Sequence, residues 1–330
     1  MANPKRQFLL TGAQGFLGAW IAKSLVEQGE RPLVFDLSRD PKRMANLLSE
    51  KQLGEVEFIQ GDITDLDEVR SVVADRSVTH IIHLAALQVP FCAADPLLGA
   101  RVNVLGALNV FEAARQNAEV TRSIVYASSA AVFGPEEYYG GKRVEEGAPL
   151  LPGTHYGVYK QCNEGNARVY YQTEGLSSVG LRPWALYGVG RDRGITSGPT
   201  KAIKAAVARK PYTIKFTGGL DLQYAEDCAE IFLRCAEASS PGAPVYTLRG
   251  SVTHMVKFVE QLESAYPPAR GLIRIEGPRL PMAHDLDDSA LVGYLKQVPR
   301  TPLAEGIART VEIFECLQKE DRLDLSDLEE

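Results

Sequence analysis

The sequence feature that most constrains the fold is a βαβ pattern over residues 8–36. A short apolar run, FLL, leads into a turn with two glycines, and apolar residues then recur at helical spacing. A second apolar run, LVF, follows and ends in the acid Asp36. Such a unit is typical of a parallel sheet whose strands are connected by helices.

The glycine spacing in this unit indicates a dinucleotide site. Gly12 suits a tight turn, Gly15 lets the backbone approach a pyrophosphate, and Gly18 lets the helix pack closely on the strand. The N-terminus of the helix then faces the phosphates. The predicted cofactor contacts in this loop are Gly12, Gln14, Gly15, Phe16, Leu17 and Gly18.

Asp36 predicts which dinucleotide is bound. At the end of the second strand, its carboxylate is placed to accept hydrogen bonds from both ribose hydroxyls, and its charge would repel a 2′-phosphate. Arg39 argues in the other direction, because an arginine just past the acid can serve a 2′-phosphate. We expect NAD rather than NADP.

Strands and helices continue to alternate after residue 36, which predicts an α/β fold with a Rossmann-type doubly wound parallel sheet. Residues 1–183, completed by about 224–250, are predicted to form the NAD-binding domain. From Arg182 onward, glycines and prolines mark loops. Residues 184–223 and 251–330 are therefore predicted to form a smaller, mostly C-terminal α/β lobe that binds the substrate.

Charge and composition exclude several classes of partner. The net charge is −6, and the last twelve residues, with six acids and two bases, contribute −4 of it. The remaining −2 gives no electrostatic reason to bind nucleic acid or an anionic membrane. We expect no apolar run to approach the ~18 residues of a membrane helix. The sequence thus predicts a cytoplasmic protein.

The cysteines and histidines form no recognisable metal or disulfide pattern. The five cysteines lack CxxC pairing and are predicted to be free, mostly buried thiols. The five histidines show no HExxH spacing, so no metal is expected. His83, at the end of a predicted strand, is interpreted as a core histidine rather than a catalytic base.

Three further segments are predicted to contact the cofactor. Asp62 either contacts the adenine or caps the helix predicted at 65–74, and the sequence favours neither. Small residues at 84–86 let the chain pass close under the cofactor. Asn103, on a largely apolar helix face, is expected to bind nearby backbone. These candidates are Asp62, Ile63, Leu84, Ala85, Ala86 and Asn103.

Several motifs occur in order along the chain: TGAQGFLG at 11–18, HLAA at 83–86, SSAAVFG at 128–134, YGVYK at 156–160 and LRPWALYG at 181–188. With Asp36, they resemble the extended short-chain dehydrogenase/reductases, and more specifically the NAD-dependent epimerase/dehydratase family. The resemblance implies a cofactor contact at Pro183. It also implies three catalytic residues, Ser129, Tyr156 and Lys160.

Elementary chemistry supports this trio. Oxidation of an alcohol needs a base for the hydroxyl proton, and free tyrosine, with a pKa of about 10, is too weak a base at neutral pH. A lysine one helical turn from Tyr156 is expected to lower that pKa and to hold the ribose, so both residues are also cofactor candidates. Ser129 would bind the substrate oxygen.

A second YxxxK match, Tyr138 to Lys142, serves as a comparison. Gly140 and Gly141 lie between its two residues and would break a helix. Tyr156 and Lys160 instead lie four apart on a periodic helix predicted at about 156–173. The sequence therefore favours Tyr156 and Lys160 as the catalytic pair.

Two alanines limit which of the family's reactions this chain is expected to catalyse. By the resemblance, dehydratases carry an acidic pair directly after the serine, and decarboxylases a glutamate at the second position. This chain has Ala130 and Ala131 there. The pattern argues against both reactions and leaves dehydrogenation or epimerisation, with Ala130 predicted beside the substrate.

The residues that hold a nucleotide diphosphate in the family look absent. Leu220 occupies the arginine position and Ala185 the asparagine position. Arg191 or Arg193 is then predicted to bind a carboxylate or phosphate of a smaller polyol-like substrate. The alternative interpretation is a pair of solvated loop arginines.

The sequence thus predicts an NAD-dependent oxidoreductase that acts on a secondary alcohol of a sugar, sugar acid or related polyol. One alternative is an NAD-retaining nucleotide-sugar epimerase, which would return its hydride. The alternative from another class is a non-catalytic dinucleotide-sensing or scaffold protein, against which the complete catalytic trio argues. The family pairs the helices here predicted at 97–117 and 156–173 in a four-helix bundle, which implies a homodimer.

Overall fold

The structure is a computed structural model that describes residues 6–238 and 242–329. Twelve strands lie within these residues: β1 (Phe8–Thr11), β2 (Leu33–Asp36), β3 (Glu57–Gln60), β4 (His80–His83), β5 (Ser123–Ala127), β6 (Val179–Arg182), β7 (Ala185–Tyr187), β8 (Tyr212–Ile214), β9 (Gly219–Tyr224), β10 (Val245–Thr247), β11 (Ser251–His254) and β12 (Ile273–Ile275). Seven of them form one parallel sheet in the order β10-β6-β5-β4-β1-β2-β3. The predicted Rossmann-type fold is confirmed.

Helices connect most of these strands. Within the described residues they are α1 (Phe16–Glu27), α2 (Lys42–Ala45), α3 (Glu50–Leu53), α4 (Leu66–Asp75), α5 (Val89–Ala94), α6 (Pro96–Ala100), α7 (Gly106–Gln116), α8 (His155–Glu174), α9 (Gly198–Val207), α10 (Ala225–Glu237), α11 (Met255–Ala265), α12 (Ser289–Leu295) and α13 (Leu303–Lys319).

The main sheet is covered on both faces. Phe8 and Leu10 of β1 pack into the same core as Trp20 of α1. Leu9, between them, packs into a second core with Phe111 of α7. Successive side chains of a strand point to opposite faces. The uninterrupted apolar run at the start of the chain is therefore what a strand buried on both sides requires.

Smaller sheets follow the main sheet in the chain. β7, β9 and β11 form a three-stranded sheet in the order β11-β9-β7, and β8 pairs with β12 in parallel. The main sheet draws its strands from residues 8–182 and 245–247, the segments predicted for the dinucleotide-binding domain.

The helix predicted at 97–117 contains an irregularity. A turn of π-helix, Arg101–Leu105, joins α6 to α7. By length and composition, the combined helix Pro96–Gln116 is apolar enough to cross a membrane, which contradicts the expectation that no segment approaches this character. Half of it is buried inside the protein, and the core helices of soluble proteins pass the same test. The finding is therefore weak evidence for a membrane.

The acidic C-terminal segment is held against the rest of the chain by ion pairs. Asp327 accepts a hydrogen bond from the buried Lys204 of α9 at 2.7 Å. Asp324 pairs with Lys42 of α2. These contacts connect the segment both to the dinucleotide-binding half and to the smaller lobe.

All five cysteines are free, as predicted. Cys92, Cys228 and Cys235 are buried, whereas Cys162 and Cys316 are exposed. The described residues contain no cluster of potential metal ligands.

Candidate active site

A cleft of about 390 Å³ opens beside the carboxyl ends of the main-sheet strands, next to the β1–β4 neighbours where the strand order reverses. Most predicted cofactor residues line it: Gly12, Gly15, Phe16, Leu17, Gly18, Asp36, Asp62, Ile63, Leu84, Ala85, Ala86, Tyr156, Lys160 and Pro183. Gln14 and Asn103 do not belong to this lining. The sequence predictions missed Phe35, Leu37, Gly61, Leu87, Gln88, Val102, Ala127, Ser128 and Leu186, most of which lie beside a predicted contact.

Steric requirements explain two of the glycines. Gly12 has a φ of +67°, and a Cβ built there would lie 2.5 Å from the Cα of Ala85. A Cβ at Gly18 would lie 2.3 Å from the Cα of Ala13, so this glycine packs against the turn rather than against the strand itself. Gly15 is the N-cap of α1 and provides no capping side chain. The first amides of α1 are therefore not occupied by a cap.

Asp36 ends β2 at the edge of the cleft. Its carboxylate accepts hydrogen bonds from the amides of Gln14 at 3.0 Å and Leu37 at 2.9 Å. Burial raises the pKa of Asp36, while these two donors and the charge of Arg43 oppose the shift. Arg39 is exposed and does not line the cleft. The acid, and not the arginine, therefore faces the predicted ribose site.

Gln14 supports the site from behind rather than facing it. Its side chain is buried and contacts the backbone of Ser38 and Asp40, which fixes the loop after Asp36 to the glycine turn. Gln14, predicted as a cofactor contact, therefore does not line the cleft, and its side chain has a supporting role.

Asp62 is not the helix cap. The N-cap of α4 is Asp65, which accepts from the amides of Asp67 and Glu68, so that interpretation of Asp62 is wrong. Asp62 instead lines the cleft and accepts a hydrogen bond from the Thr64 amide at 2.8 Å. The two acids are three residues apart, and only the tertiary structure separates their roles.

Asn103 lies in the π-helical turn and supports the wall of the cleft. Its side chain accepts from the Leu87 amide at 2.7 Å and donates to the Leu87 carbonyl at 2.9 Å. The side chain of Asn163 on α8 donates to the Asn103 carbonyl at 2.8 Å. Asn103 thus binds neighbouring backbone, as predicted, and does not belong to the lining of the cleft.

Of the predicted catalytic residues, Tyr156 and Lys160 line the cleft, whereas Ser129 does not belong to its lining but lies within hydrogen-bond reach of Tyr156. Tyr156 and Lys160 lie one turn apart on α8, with the Lys160 Nζ 5.5 Å from the centre of the Tyr156 ring. This ammonium donates to the Ala127 carbonyl at 2.6 Å. Ser129 follows β5 and accepts a hydrogen bond from the Ala131 amide at 3.1 Å.

The electrostatics of this group differ from the sequence expectation. Burial raises the pKa of Tyr156, and a hydrogen bond from Ser129 and the charge of Arg191 oppose this rise. Burial lowers the pKa of Lys160 to about 8. The expected lowering of the pKa of Tyr156 by Lys160 is therefore not found: Ser129 and Arg191 only oppose the rise, and the Lys160 ammonium binds the Ala127 carbonyl instead.

The two candidate arginines have separate environments. Arg191 lines the cleft, and its Nη2 donates to the Thr196 hydroxyl at 3.2 Å. Its buried Nε has no hydrogen-bond partner among the described residues. Burial lowers the pKa of Arg191, and the neighbouring Tyr156 opposes this. Arg193 is exposed and borders a different cavity, beside Asp40. Only Arg191 is placed to meet a substrate beside Tyr156.

An arginine that the sequence did not suggest holds this loop in place. Arg43 donates to the Gln14 carbonyl at 3.0 Å and to the Gly190 carbonyl at 3.2 Å, and it pairs with both oxygens of Asp192 at 2.8 Å. It thereby connects the glycine turn to the Arg191 loop. Its partners lie up to 149 residues away in the chain, so no local pattern identifies it.

The second YxxxK match lies outside the site. Tyr138 is 65% exposed at the surface. Gly140 and Gly141 both have a φ of +67°, which places Lys142 off any helix. The prediction that this match is not a helical pair is confirmed.

His83 and the family's diphosphate positions agree with the sequence interpretation. His83 is buried, its Nδ1 lies 2.7 Å from the Thr11 hydroxyl, and burial lowers its pKa to about 3. Ala185 and Leu220 are completely buried apolar residues and provide no cation. The nearby Asp227 accepts hydrogen bonds from Thr301 instead.

A larger cavity of about 780 Å³ lies next to the Arg191 loop, and Gly194 is part of its lining. Its wall contains the cations Lys201, Lys215 and Arg274 and the aromatic rings of Tyr212 and Phe216. A cavity with several cations and aromatic surfaces suits a larger anionic ligand.

The fold and the cleft define a dinucleotide-dependent oxidoreductase. Residues 8–248 match the model of the NAD dependent epimerase/dehydratase family. The chain belongs to this family, and its cofactor is NAD. The family, fold class and enzyme class predicted from the sequence are confirmed, as is the expectation of a dehydrogenase or epimerase.

Individual relatives are similar over most of the chain. A UDP-glucose 4-epimerase from Mycolicibacterium smegmatis is 27% identical over 319 residues, which cover 93% of this chain and 97% of that protein. UDP-glucuronate 4-epimerase 6 from Arabidopsis thaliana is 34% identical over 188 residues, or 54% of this chain and 39% of that protein.

Solved structures show the same fold. The Thermus thermophilus UDP-glucose 4-epimerase in complex with NAD has a TM-score of 0.76 and 26% identity, covering 93% of this chain and 98% of that one. A partial-consensus L-threonine 3-dehydrogenase has a TM-score of 0.81 at 23% identity, covering 94% and 99%. The latter supports the fold alone.

Replacing Asp36 with alanine is expected to weaken NAD binding more than NADP binding, because the carboxylate favours ribose hydroxyls and repels a 2′-phosphate. The dissociation constants of both cofactors, measured by calorimetry, test this. Asp40→Ala is the control, since Asp40 lies in the same loop but does not line the cleft. Wild-type protein that binds NADP at least as tightly as NAD would refute the role of Asp36.

Proposed function

We propose that this protein catalyses the NAD-dependent oxidation or reduction of a secondary alcohol in a sugar-like substrate that carries an acidic group. One observation carries the proposal: Arg191 and Tyr156 line the same cleft, and the positive charge of Arg191 opposes the rise in the pKa of Tyr156 that burial causes. A proton-accepting group and an anion-binding group are thus adjacent.

The residues of the cleft fit NAD. Backbone surfaces crowd Gly12 and Gly18, an acid lies at the expected ribose position, and a tyrosine–lysine pair lies at the opposite end. NAD bound there would supply the acceptor for the hydride of the alcohol carbon. Lys160 is the residue that would hold the ribose next to the nicotinamide.

Tyr156 accepts the hydroxyl proton as the C–H bond breaks and the carbonyl forms, and it returns a proton in the reverse direction. Ser129 donates a hydrogen bond to the same oxygen and stabilises the charge that develops there. Arg191 binds the acidic group and so orients the reacting carbon. Ala130 and Ala131 supply no acid or base, so elimination of water is not supported.

Incubation of the purified protein with NAD and a panel of substrates tests the proposal. Sugar acids and hydroxy acids should give NADH absorbance at 340 nm in proportion to product, and neutral sugars of the same stereochemistry should react far more slowly. Equal rates for acidic and neutral members would contradict the role of Arg191.

A second candidate is an NAD-retaining nucleotide-sugar epimerase. The cation-lined 780 Å³ cavity favours it, because a nucleotide would fill the aromatic and basic wall beside Lys201. The names of several relatives, such as the UDP-glucose 4-epimerase of M. smegmatis, point in the same direction. An epimerase would convert a UDP-sugar to its epimer, seen by NMR, without stoichiometric NADH.

We also infer that the protein is a homodimer in solution. Exposed apolar side chains on the neighbouring helices α6 and α8 support this: Leu98 is 46% exposed and Val169 is 49% exposed. The two helices are in contact, since the Tyr159 hydroxyl donates to the Pro96 carbonyl at 2.8 Å. A second copy of the chain would cover this apolar surface.

Glutamate substitutions test the dimer. Leu98→Glu and Val169→Glu should convert a dimer to a monomer at micromolar concentration, as measured by light scattering, because a charge would be buried in the interface. Val256→Glu is the matched control, since Val256 is 60% exposed on α11. A monomeric wild-type protein would rule out the inference.

A further inference from the structure

A buried polar network lies directly behind the predicted catalytic serine. The Ser128 hydroxyl donates to the Glu164 carboxylate at 2.5 Å. Arg182 binds the same carboxylate with two hydrogen bonds, from Nε at 2.8 Å and from Nη2 at 2.7 Å. The two charged side chains are only 8% and 6% exposed. A buried ion pair seldom stabilises a fold more than apolar packing would. Stability alone therefore does not explain why this pair lies behind the predicted catalytic serine.

The network joins the elements that carry the catalytic groups. Ser128 follows β5 and precedes Ser129, and Glu164 lies one turn after Lys160 on α8. Arg182 ends β6 and precedes Pro183, which lines the cleft. One carboxylate therefore fixes the relative positions of two strand ends and the catalytic helix.

The connection to Lys160 is direct. The Ala127 carbonyl accepts a hydrogen bond from the Lys160 ammonium at 2.6 Å. This carbonyl belongs to the peptide group between Ala127 and Ser128. Because the Ser128 side chain is held by Glu164, this peptide has a fixed orientation, and its carbonyl fixes the ammonium in turn. The hydrogen bond between Ser128 and Glu164 therefore affects the position of the Lys160 ammonium through a single peptide group.

The charge of Glu164 also acts on Lys160. Burial favours the neutral amine, and the groups that face it are Tyr156 on the same helix, Cys92 on α5, His83 on β4 and Glu164. His83 is neutral at physiological pH, because its pKa lies at about 3. Among these groups, Glu164 is the carboxylate, and it lies one helical turn from Lys160 on α8, although Arg182 partly offsets its charge.

We propose that Glu164 is a positioning residue: it orients the Ala127–Ser128 peptide against Lys160, and its carboxylate stabilises the Lys160 ammonium one helical turn away. The inference rests on the proposed function in giving Lys160 a role with NAD. Glu164 does not touch the substrate in this view. It acts through Ser128 and through its charge.

The pH dependence of NAD binding tests the proposal without any substrate. In the wild type, NAD affinity should weaken as Lys160 loses its proton. In Glu164→Gln, this midpoint should move to lower pH by about one unit, because the carboxylate no longer stabilises the ammonium. Turnover near pH 7.5 should fall about tenfold, with KM for the substrate changed less than about threefold.

Two further variants separate positioning from simple loss of stability. Asp327→Asn breaks the other buried ion pair, with Lys204, and should lower the melting temperature without moving the pH midpoint. Ser128→Ala keeps the carboxylate but removes the link to the peptide, so turnover should fall while the midpoint stays. It also supplies a test if Glu164→Gln does not fold.

The proposed effect of the Glu164 charge on Lys160 would be overturned if Glu164→Gln left the pH midpoint of NAD binding unmoved and lost only as much stability as Asp327→Asn. Wild-type turnover in Ser128→Ala would overturn the positioning role. Because NAD binding needs no substrate, failure here is distinguishable from an incorrect substrate class in the proposed function.

Discussion

Replacement of Tyr156 by phenylalanine is expected to lower turnover by at least ~100-fold while NAD binding survives. The variant loses the oxygen that accepts the proton, but its ring keeps the packing beside Lys160 and the wall of the cleft. The decisive measurements are turnover, followed by NADH absorbance or by epimer formation, and the NAD dissociation constant on the same preparation. Lys160→Met should damage both, because Lys160 also lines the cofactor cleft.

Tyr138→Phe is the internal control for this experiment. Tyr138 belongs to the second YxxxK match, yet it is exposed and followed by two glycines in the left-handed conformation. Its replacement should leave turnover unchanged. The catalytic assignment would have to be withdrawn if Tyr138→Phe abolished activity and Tyr156→Phe retained most of it.

Replacement of Arg191 by methionine is expected to reduce kcat/KM for an acidic substrate by at least about 30-fold. Methionine keeps an unbranched side chain over the Phe16 ring, from which the Arg191 guanidinium lies 5.9 Å. The interaction that Arg191→Met removes is therefore the charge-assisted hydrogen bond to the substrate anion. Steady-state kinetics with an acidic substrate and its neutral analogue measure the effect, and the neutral analogue should lose much less.

Arg193→Met is the matched control for Arg191→Met. The two arginines are two residues apart in one loop, but Arg193 is exposed and lies outside the cleft. The same change in charge should alter kcat/KM by less than about twofold. Equal losses in both variants would indicate a general effect of loop charge and would contradict a specific anion site at Arg191.

Motifs with a strict local geometry were predictable. The glycine turn is an example. Gly12 has a φ of +67°, a conformation that most residues with a side chain avoid, so a glycine at this position indicates the turn. The Tyr156–Lys160 pair is another, because a spacing of four on a helix puts two side chains on one face. The end of a strand likewise places Asp36 at the carboxyl edge of the sheet.

Residues in irregular segments were not predictable in the same way. Sequence alone left Asp62 with two roles and did not consider Asp65 as the helix cap. It placed Gln14 and Asn103 in contact with the cofactor, whereas both bind backbone behind the cleft. In each case, the side chain had a choice of nearby partners, and packing selected one of them.

The sequence by itself determined the alternation of strands and helices, the dinucleotide turn and the placement of Tyr156 and Lys160 on one helix, because each depends on residues within about one turn of one another. The tertiary structure decided which arginine faces the cleft, how Arg43 connects two distant loops, and that Glu164 meets Ser128 and Arg182. These contacts join residues that are far apart in the chain. Their partners are set by the order of strands in the sheet, which no local pattern encodes.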